Sequence, residues 1–293
     1  MVTKSYILIT AAKNEEFYIE NTIKSVISQT VLPKRWTIVS DGSTDNTETI
    51  VEHYTKKHNF IDLLRLEQKS DRDFASKVKA IHVAYKHLQD TQYSFFGSLD
   101  ADITFADTYY ENLLKAFAKN PNLGIAGGTI YDVLDGNMLM ASARTNNIGS
   151  ATQFFRRQCY ENIGGYLPLQ YGGEDTAAEV MARMNGWEVK LIPELKVFHH
   201  RRTGTGTWGI RAAKFYSGKE AYFLGYHPLF FLFKSVARVV QKPHLTGPIL
   251  MLAGYCFSFF DKQTRQVSID FVKYIRREQL KRLKSSLIFL HRD

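Results

Sequence analysis

Residues 95–107, FFGSLDADITFAD, begin as a run of apolar side chains and pass into acids. The apolar half reads as a buried β-strand, and Asp100 and Asp102 follow it with one alanine between them. Unpaired carboxylates beside an apolar strand are costly unless water or a cation neutralises them. Residues two apart in an extended segment point the same way, so both carboxylates face one region of space. A solvated turn satisfies this pattern, and so does a divalent cation that prefers oxygen ligands.

Upstream, strand and helix patterns alternate. SYILIT (5–10) is a compact apolar run, read as a buried strand. EEFYIENTIKSVISQT (15–30) places Phe17, Ile19, Ile23, Val26 and Ile27 on one helical face. RWTIVSDGSTDNT (35–47) reads as a strand and a turn, with Ser43 or Thr44 and the neighbouring acids suited to capping the next helix. TETIVEHYTKKH (47–58) is that helix, FIDLLRLE (60–67) a strand, and SKVKAIHVAYKHLQ (76–89) a further helix. Repeated βαβ units predict an α/β fold, Rossmann-like, with a mostly parallel sheet flanked by helices. Ligands of such sheets bind outside the carboxyl ends of the strands, where Asp41 and Asp100 fall.

Beyond residue 121 the alternation loosens. GIAGGTIYDVLDGN (124–137) suggests a strand and turn, and QFFRRQCYENIGGY (153–166) a strand and short helix. GGEDTAAEVMARMNGW (172–187) reads as a turn and a helix, and LKVFHH (195–200) as a strand.

Four of these segments carry a resemblance. ITAAKNEE, VSDGSTDNT, LDAD and GGEDTAAEVMARMNGW, in that order over about residues 5–200, resemble the motifs of family-2 glycosyltransferases of the GT-A fold. The resemblance implies an inverting, metal-dependent enzyme that transfers a sugar from a nucleotide-sugar donor. It implies a GT-A catalytic domain over 1–210, with a donor-binding half at about 1–102 and an acceptor-binding half at about 103–210. A mainly helical extension over 211–293 follows.

The resemblance also distributes roles, some beside a plainer alternative. Asp41 would accept a hydrogen bond from uracil, or serve as an Asx-turn residue. Ala11 and Ala12 would leave room for the base. Glu15 would accept from a ribose hydroxyl, or act as a first-turn helix acid. Asp45 reads as a cap. Asp102 is implied as the direct Mn²⁺ or Mg²⁺ ligand, with Asp100 nearer the sugar or ribose, and His199 as a third ligand. Arg72 and Lys77 fall where the family carries a basic donor contact. Arg201 and Arg202 would grip the diphosphate, in a loop that Gly204, Gly206 and Gly209 make able to close, or form a solvated basic turn. Asp175 is the expected general base, or an N-terminal capping acid, and Glu174 its neighbour that orients the acceptor; the sequence leaves the two roles exchangeable.

Composition narrows the partners. The 293 residues carry a formal net charge of +9, which favours an anionic partner, and 44% are hydrophobic. No aromatic-basic nucleic-acid module is evident, so nucleic acid is excluded as the expectation. Cys159 and Cys256 lie far apart without metal-type spacing, which points to a reducing compartment. The N-terminal apolar run is too short for a signal peptide.

The apolar run 247–260 is too short for a typical membrane span, and 222–240 is aromatic but broken by charges and Pro228. In the tail 267–290, Val272, Ile275, Leu280, Leu283 and Leu287 fall near one face among basic residues. These segments suit helices lying on an anionic membrane surface, a buried helical subdomain or a homodimer interface.

The expected function is transfer from a UDP-linked donor to a cell-envelope polysaccharide or a lipid-linked acceptor, by a cytoplasmic protein peripheral at the cytoplasmic face of the membrane. Two rivals are a sugar-phosphate nucleotidyltransferase, which should carry a glycine- and arginine-rich loop where this chain has AAKNEE, and a non-catalytic nucleotide- or glycan-binding protein.

Overall fold

The computed structural model of the chain describes residues 5–67, 74–134, 137–140, 147–201, 209–239 and 243–290. β1 (Tyr6–Ala12), α1 (Ile19–Ile27), β2 (Arg35–Asp41), α2 (Thr47–Thr55), β3 (Ile61–Leu66), α3 (Phe74–His87) and β4 (Phe95–Ser98) alternate through the first hundred residues. β5 (Ile103–Phe105), α4 (Tyr109–Lys119), β6 (Leu123–Leu134), β7 (Asn137–Met140), β8 (Phe154–Arg156), α5 (Arg157–Asn162), α6 (Glu174–Met184) and β9 (Glu188–His199) follow. The chain continues through α7 (Ile210–Phe223), α8 (Pro228–Val236), α9 (Thr246–Phe260) and α10 (Ile269–Leu290).

The strands form one sheet in the order β3-β2-β1-β4-β8-β6-β9-β5, with β7 added to β6. The βαβ half, β3-β2-β1-β4, is parallel throughout. The loosened half is mixed: β8 runs antiparallel to both β4 and β6, β5 antiparallel to β9, and β6 parallel to β9. Because alternate side chains of a strand face opposite ways, β1 feeds two cores. Tyr6 and Leu8 join Trp36, Ile19 and Phe154 on one face, and Ile7 and Ile9 join Val78, Phe96 and Phe155 on the other. Helices cover both faces, as parallel sheets require.

Local hydrogen bonds move the boundaries from where periodicity alone sets them. α1 starts at Ile19 because Asn14 adopts a left-handed turn (φ 56°) and the Glu15 carbonyl accepts from the N–H groups of Tyr18 and Ile19. Ile19, Ile23 and Val26 are buried as the helical face predicts, whereas Phe17 precedes the helix and is 79% exposed. The N-cap position of α2 is Asn46 rather than Ser43 or Thr44.

The chain divides into two compact units, one of Met1–Pro168 with Glu174–Thr203, the other of Leu169–Gly173 with Gly204–Asp293. In the second, α7 and α9 pack at glycines: a Cβ on Gly218 would lie 2.0 Å from the Met251 carbonyl oxygen, and one on Gly254 equally near that of Phe215. Phe231 of α8 stacks on Tyr255 of α9 at 4.9 Å. α10 buries Phe271, Ile275 and Gln279; Val272 and Leu283 are half-buried, Leu280 is exposed, and the Leu287 side chain lies outside the description. Among the described residues no helix is long and apolar enough to cross a membrane.

Candidate active site

The site is built at the carboxyl ends of β1, β2 and β4 and the loops that follow them. Ala11 and Ala12 close β1, opposite Val39 and Ser40 of β2. The β1–α1 and β2–α2 loops are tied together by side chains: the Glu15 N–H donates to Thr47 Oγ1 at 2.7 Å, and the Thr44 N–H to Asn14 Oδ1 at 2.8 Å. Asp45 accepts from the Thr47 N–H and hydroxyl and from the Glu16 N–H, so it fastens the loops. Asp41 ends β2 half-buried, and its carboxylate has no partner among the described residues.

Asp100 and Asp102 occupy the turn between β4 and β5. Asp102 is 2% exposed, and its Oδ2 accepts from Arg201 Nε at 2.8 Å and Nη2 at 2.6 Å. His199 Nε2 lies 3.1 Å from the same oxygen, and its Nδ1 lies 3.2 Å from Asp132 Oδ1. Burial by itself would raise the Asp102 carboxyl, but His199 and Arg201 hold it at about 2. Burial likewise works against His199 protonation, and its hydrogen bonds to Asp102 and Asp132 overturn that, lifting it to about 10. Arg201 Nη2 also donates to Glu15 at 2.8 Å, so the buried Glu15 faces Arg201. Glu15 lies ahead of α1, whose first-turn acid is Glu20.

One ligand atom each from Asp100, Asp102 and His199 lie within 4.8 Å of one another. Two carboxylates and an imidazole suit Mn²⁺, or Mg²⁺ with further oxygen ligands, so these residues fit the implied metal. The β6–β9 register sets Asp132 beside His199. Metal-bound histidines commonly donate their second nitrogen to such a carboxylate, which fixes the tautomer and ring orientation.

A second carboxylate cluster opens α6. Asp175 Oδ1 accepts from the Thr176 N–H at 2.6 Å and Oδ2 from the Ser150 N–H at 3.2 Å. Glu174 is buried, and burial with the adjacent Asp175 charge pushes its carboxyl up to about 7. Burial also raises Asp175. Glu179, one turn on, is buried and pushed up to about 7 by burial and by Asp175, while accepting from the Ile148 N–H at 2.6 Å. Lys77 of α3 joins the two clusters: its Nζ reaches Asp100 Oδ1 at 2.5 Å and Ser150 Oγ at 3.2 Å. Burial would lower Lys77, and the charges of Asp100 and Glu174 carry it to about 12.

The structure thus gathers Glu15, Lys77, Asp100, Asp102, His199 and Arg201 into one network, and joins Glu174 and Asp175 to it electrostatically through Lys77. Arg72, Arg202, Gly204 and Gly206 lie outside the described residues; Gly209 is the N-cap of α7. Four contributors were not singled out from the sequence: Asp132, Ser150, Gln153 and Glu179. Gln153 Nε2 donates to the backbone carbonyls of Asp175 and Ile148, tying the 148–150 turn to α6. Glu179 alone left a signal, an acid in the apolar stripe of Ala177, Ala178, Val180 and Ala182.

The chain is similar to several known proteins. The poly-beta-1,6-N-acetyl-D-glucosamine synthase of Staphylococcus epidermidis is 25% identical over 203 residues, covering 62% of this chain; the chain spans about half, 47%, of that synthase's length. The mannosyltransferase PcManGT from Pyrobaculum calidifontis, solved with GDP-Man and Mn²⁺, superposes with a TM-score of 0.57 at 15% identity over 97% of this chain and 80% of that one. S. aureus TarS 1–349, solved with UDP-GlcNAc, gives 0.55 at 16% identity over 94% and 82% of the two chains. These likenesses show the GT-A fold. Residues 7–167 match the family model described as glycosyl transferase family 2, more than half of the chain, and the protein belongs to that family.

Proposed function

We propose that this glycosyltransferase is metal-dependent and inverting, and moves one sugar from a UDP-linked donor to a cell-envelope polysaccharide or lipid-linked acceptor. The observation that carries the reading is the Asp100–Asp102–His199 trio, linked through Lys77 and Ser150 to Asp175. Asp175 is the general base: its carboxylate takes the proton of the acceptor hydroxyl as that oxygen attacks the anomeric carbon. The bond from that carbon to the diphosphate oxygen breaks, its electron pair leaves with the nucleoside diphosphate, and the anomeric configuration inverts in one displacement. Glu174 stands beside the base and, at its raised proton affinity, is suited to orienting the acceptor.

On the donor side, Asp41 would accept from the uracil N–H, with Ala11 and Ala12 leaving space for the ring. Asp100, Asp102 and His199 would hold Mn²⁺ or Mg²⁺, whose charge offsets that gathering on the departing diphosphate. Asp132 orients His199 for this task, and Lys77 and Arg201 add fixed positive charge. UDP-GlcNAc is the first donor to test, since TarS is solved with it and the matched synthase is named for N-acetylglucosamine. Titration calorimetry with UDP, with and without Mn²⁺, tests the reading. Binding should need the metal and be lost in Asp102→Asn; unchanged binding by that variant would remove the metal assignment.

A further inference from the structure

The net positive charge of the chain lies in one of its two units. Residues 204–293 hold fifteen Lys and Arg against five Asp and Glu, a net of +10, whereas residues 1–203 hold twenty-three against twenty-four. The same segment exposes large apolar side chains in stripes. On α8, Leu229, Leu232, Phe233 and Val236 follow i, i+3, i+4, i+7 spacing and are 43% to 56% exposed, while Phe231 and Ser235 turn inward. On α9, which packs against α8 through Tyr255, Ile249, Phe257 and Phe260 point outward and are more than half exposed. α10 presents a basic stripe, with Lys273, Arg277, Lys281 and Lys284 all exposed.

Soluble monomers rarely leave contiguous apolar surface of this kind uncovered. Protein–protein interfaces are depleted in lysine at their cores. Exposed Phe and Leu stripes within a segment of net charge +10 instead match helices that rest in a membrane interface, held by apolar burial and by attraction to anionic headgroups. No described helix is long and apolar enough to cross the bilayer, so the geometry is one of lying on it.

We propose that α8 and α9 lie on an anionic lipid surface, with the stripe of Leu229, Leu232, Phe233 and Val236 and that of Ile249, Phe257 and Phe260 at the boundary of headgroups and acyl chains. The exposed basic stripe of α10 attracts the headgroups. The occupant is the lipid surface itself, since apolar contact and positive charge are presented by one 90-residue segment. The proposed function supplies only the reason for such docking, access to a lipid-linked acceptor; lipid binding is read without turnover, so either idea can fail alone.

The test is flotation of the full chain with vesicles of phosphatidylcholine alone and of an equimolar mixture with phosphatidylglycerol, at low and high salt. The chain should float with the phosphatidylglycerol vesicles, at least tenfold less with phosphatidylcholine, and less again as salt rises. Leu229→Glu with Phe233→Glu should weaken binding tenfold or more. Arg277→Glu with Lys281→Glu should weaken it roughly fivefold for each charge removed from the surface. All these positions are exposed, and circular dichroism with UDP binding checks that each variant folds. Sedimentation velocity without lipid tests the rival occupant. No flotation, flotation unchanged by the α8 variants, or a dimer that those variants dissociate would overturn the proposal.

Discussion

Asp102 and Glu174 are both buried carboxylates, and burial raises the proton affinity of each. At Asp102 the guanidinium of Arg201 and the imidazole of His199 reverse that effect and hold the group at about 2. At Glu174 burial acts most strongly, the charge of Asp175 adds to it, and the opposing charge of Lys77 does not offset the two, so the group stays near 7. Two acid clusters in one unit are therefore set to different tasks by their neighbours. One is a permanent anion suited to a cation; the other holds and releases protons near neutrality.

The largest effect that separates them should come from Asp175→Asn. It should lower kcat about 10²- to 10⁴-fold, the usual worth of a general base, while leaving metal-dependent UDP binding intact in calorimetry. Full activity in that variant would move the base elsewhere. Asp132→Asn should do the reverse, weakening Mn²⁺ binding about 10- to 100-fold as loss of an outer carboxylate does. The visible absorption of bound Co²⁺ should shift with it, a change that mere destabilisation would not produce, and Asp132→Glu should restore part of the affinity.

The pH dependence of the two clusters should differ in sign. Asp102 lies below its unfolded value, so its contribution to stability is complete above about pH 4 and is lost as pH falls through about 2. Glu174 lies above its unfolded value, so its ionisation costs stability as pH rises from about 4.3 through 7. Glu174→Gln should therefore raise the thermal midpoint above pH 7 and lose that advantage in acid. The acidic limb of kcat/KM should fall between the ordinary carboxylate range and about 7 and belong to the Glu174–Asp175 pair jointly.

The smallest effect sharpens how the second cluster is held. Glu179→Gln keeps an acceptor for the Ile148 N–H and should be nearly neutral in chemical denaturation. Glu179→Ala leaves that buried donor unsatisfied and should cost about 1–3 kcal/mol.

Most of the first half of the fold was legible because a buried parallel strand and an amphipathic helix each write a period into the chain. β1 to β4 and α1 to α3 fall where those periods predict, apart from ends shifted by loop hydrogen bonds such as that of Glu15 to Thr47. The second half was less legible because β6 and β9 each run twelve residues through changing partners, with a register shift between Gly128 and Thr129. Among site residues, Asp100, Asp102 and Asp175 announced themselves at element boundaries. Asp132 did not, since neither of the two acids in IYDVLDGN stands out until the β6–β9 register sets Asp132 against His199.

The sequence by itself determined the alternation of elements and the placing of acids at strand and helix ends. These are local properties, set by side-chain period and backbone sterics over a few residues. Only the tertiary structure decided that Arg201, ninety-nine positions from Asp102, is its counter-ion, and that Lys77 stands between the two acid clusters. Charge and proton affinity follow distance and burial in space, and sequence separation carries neither.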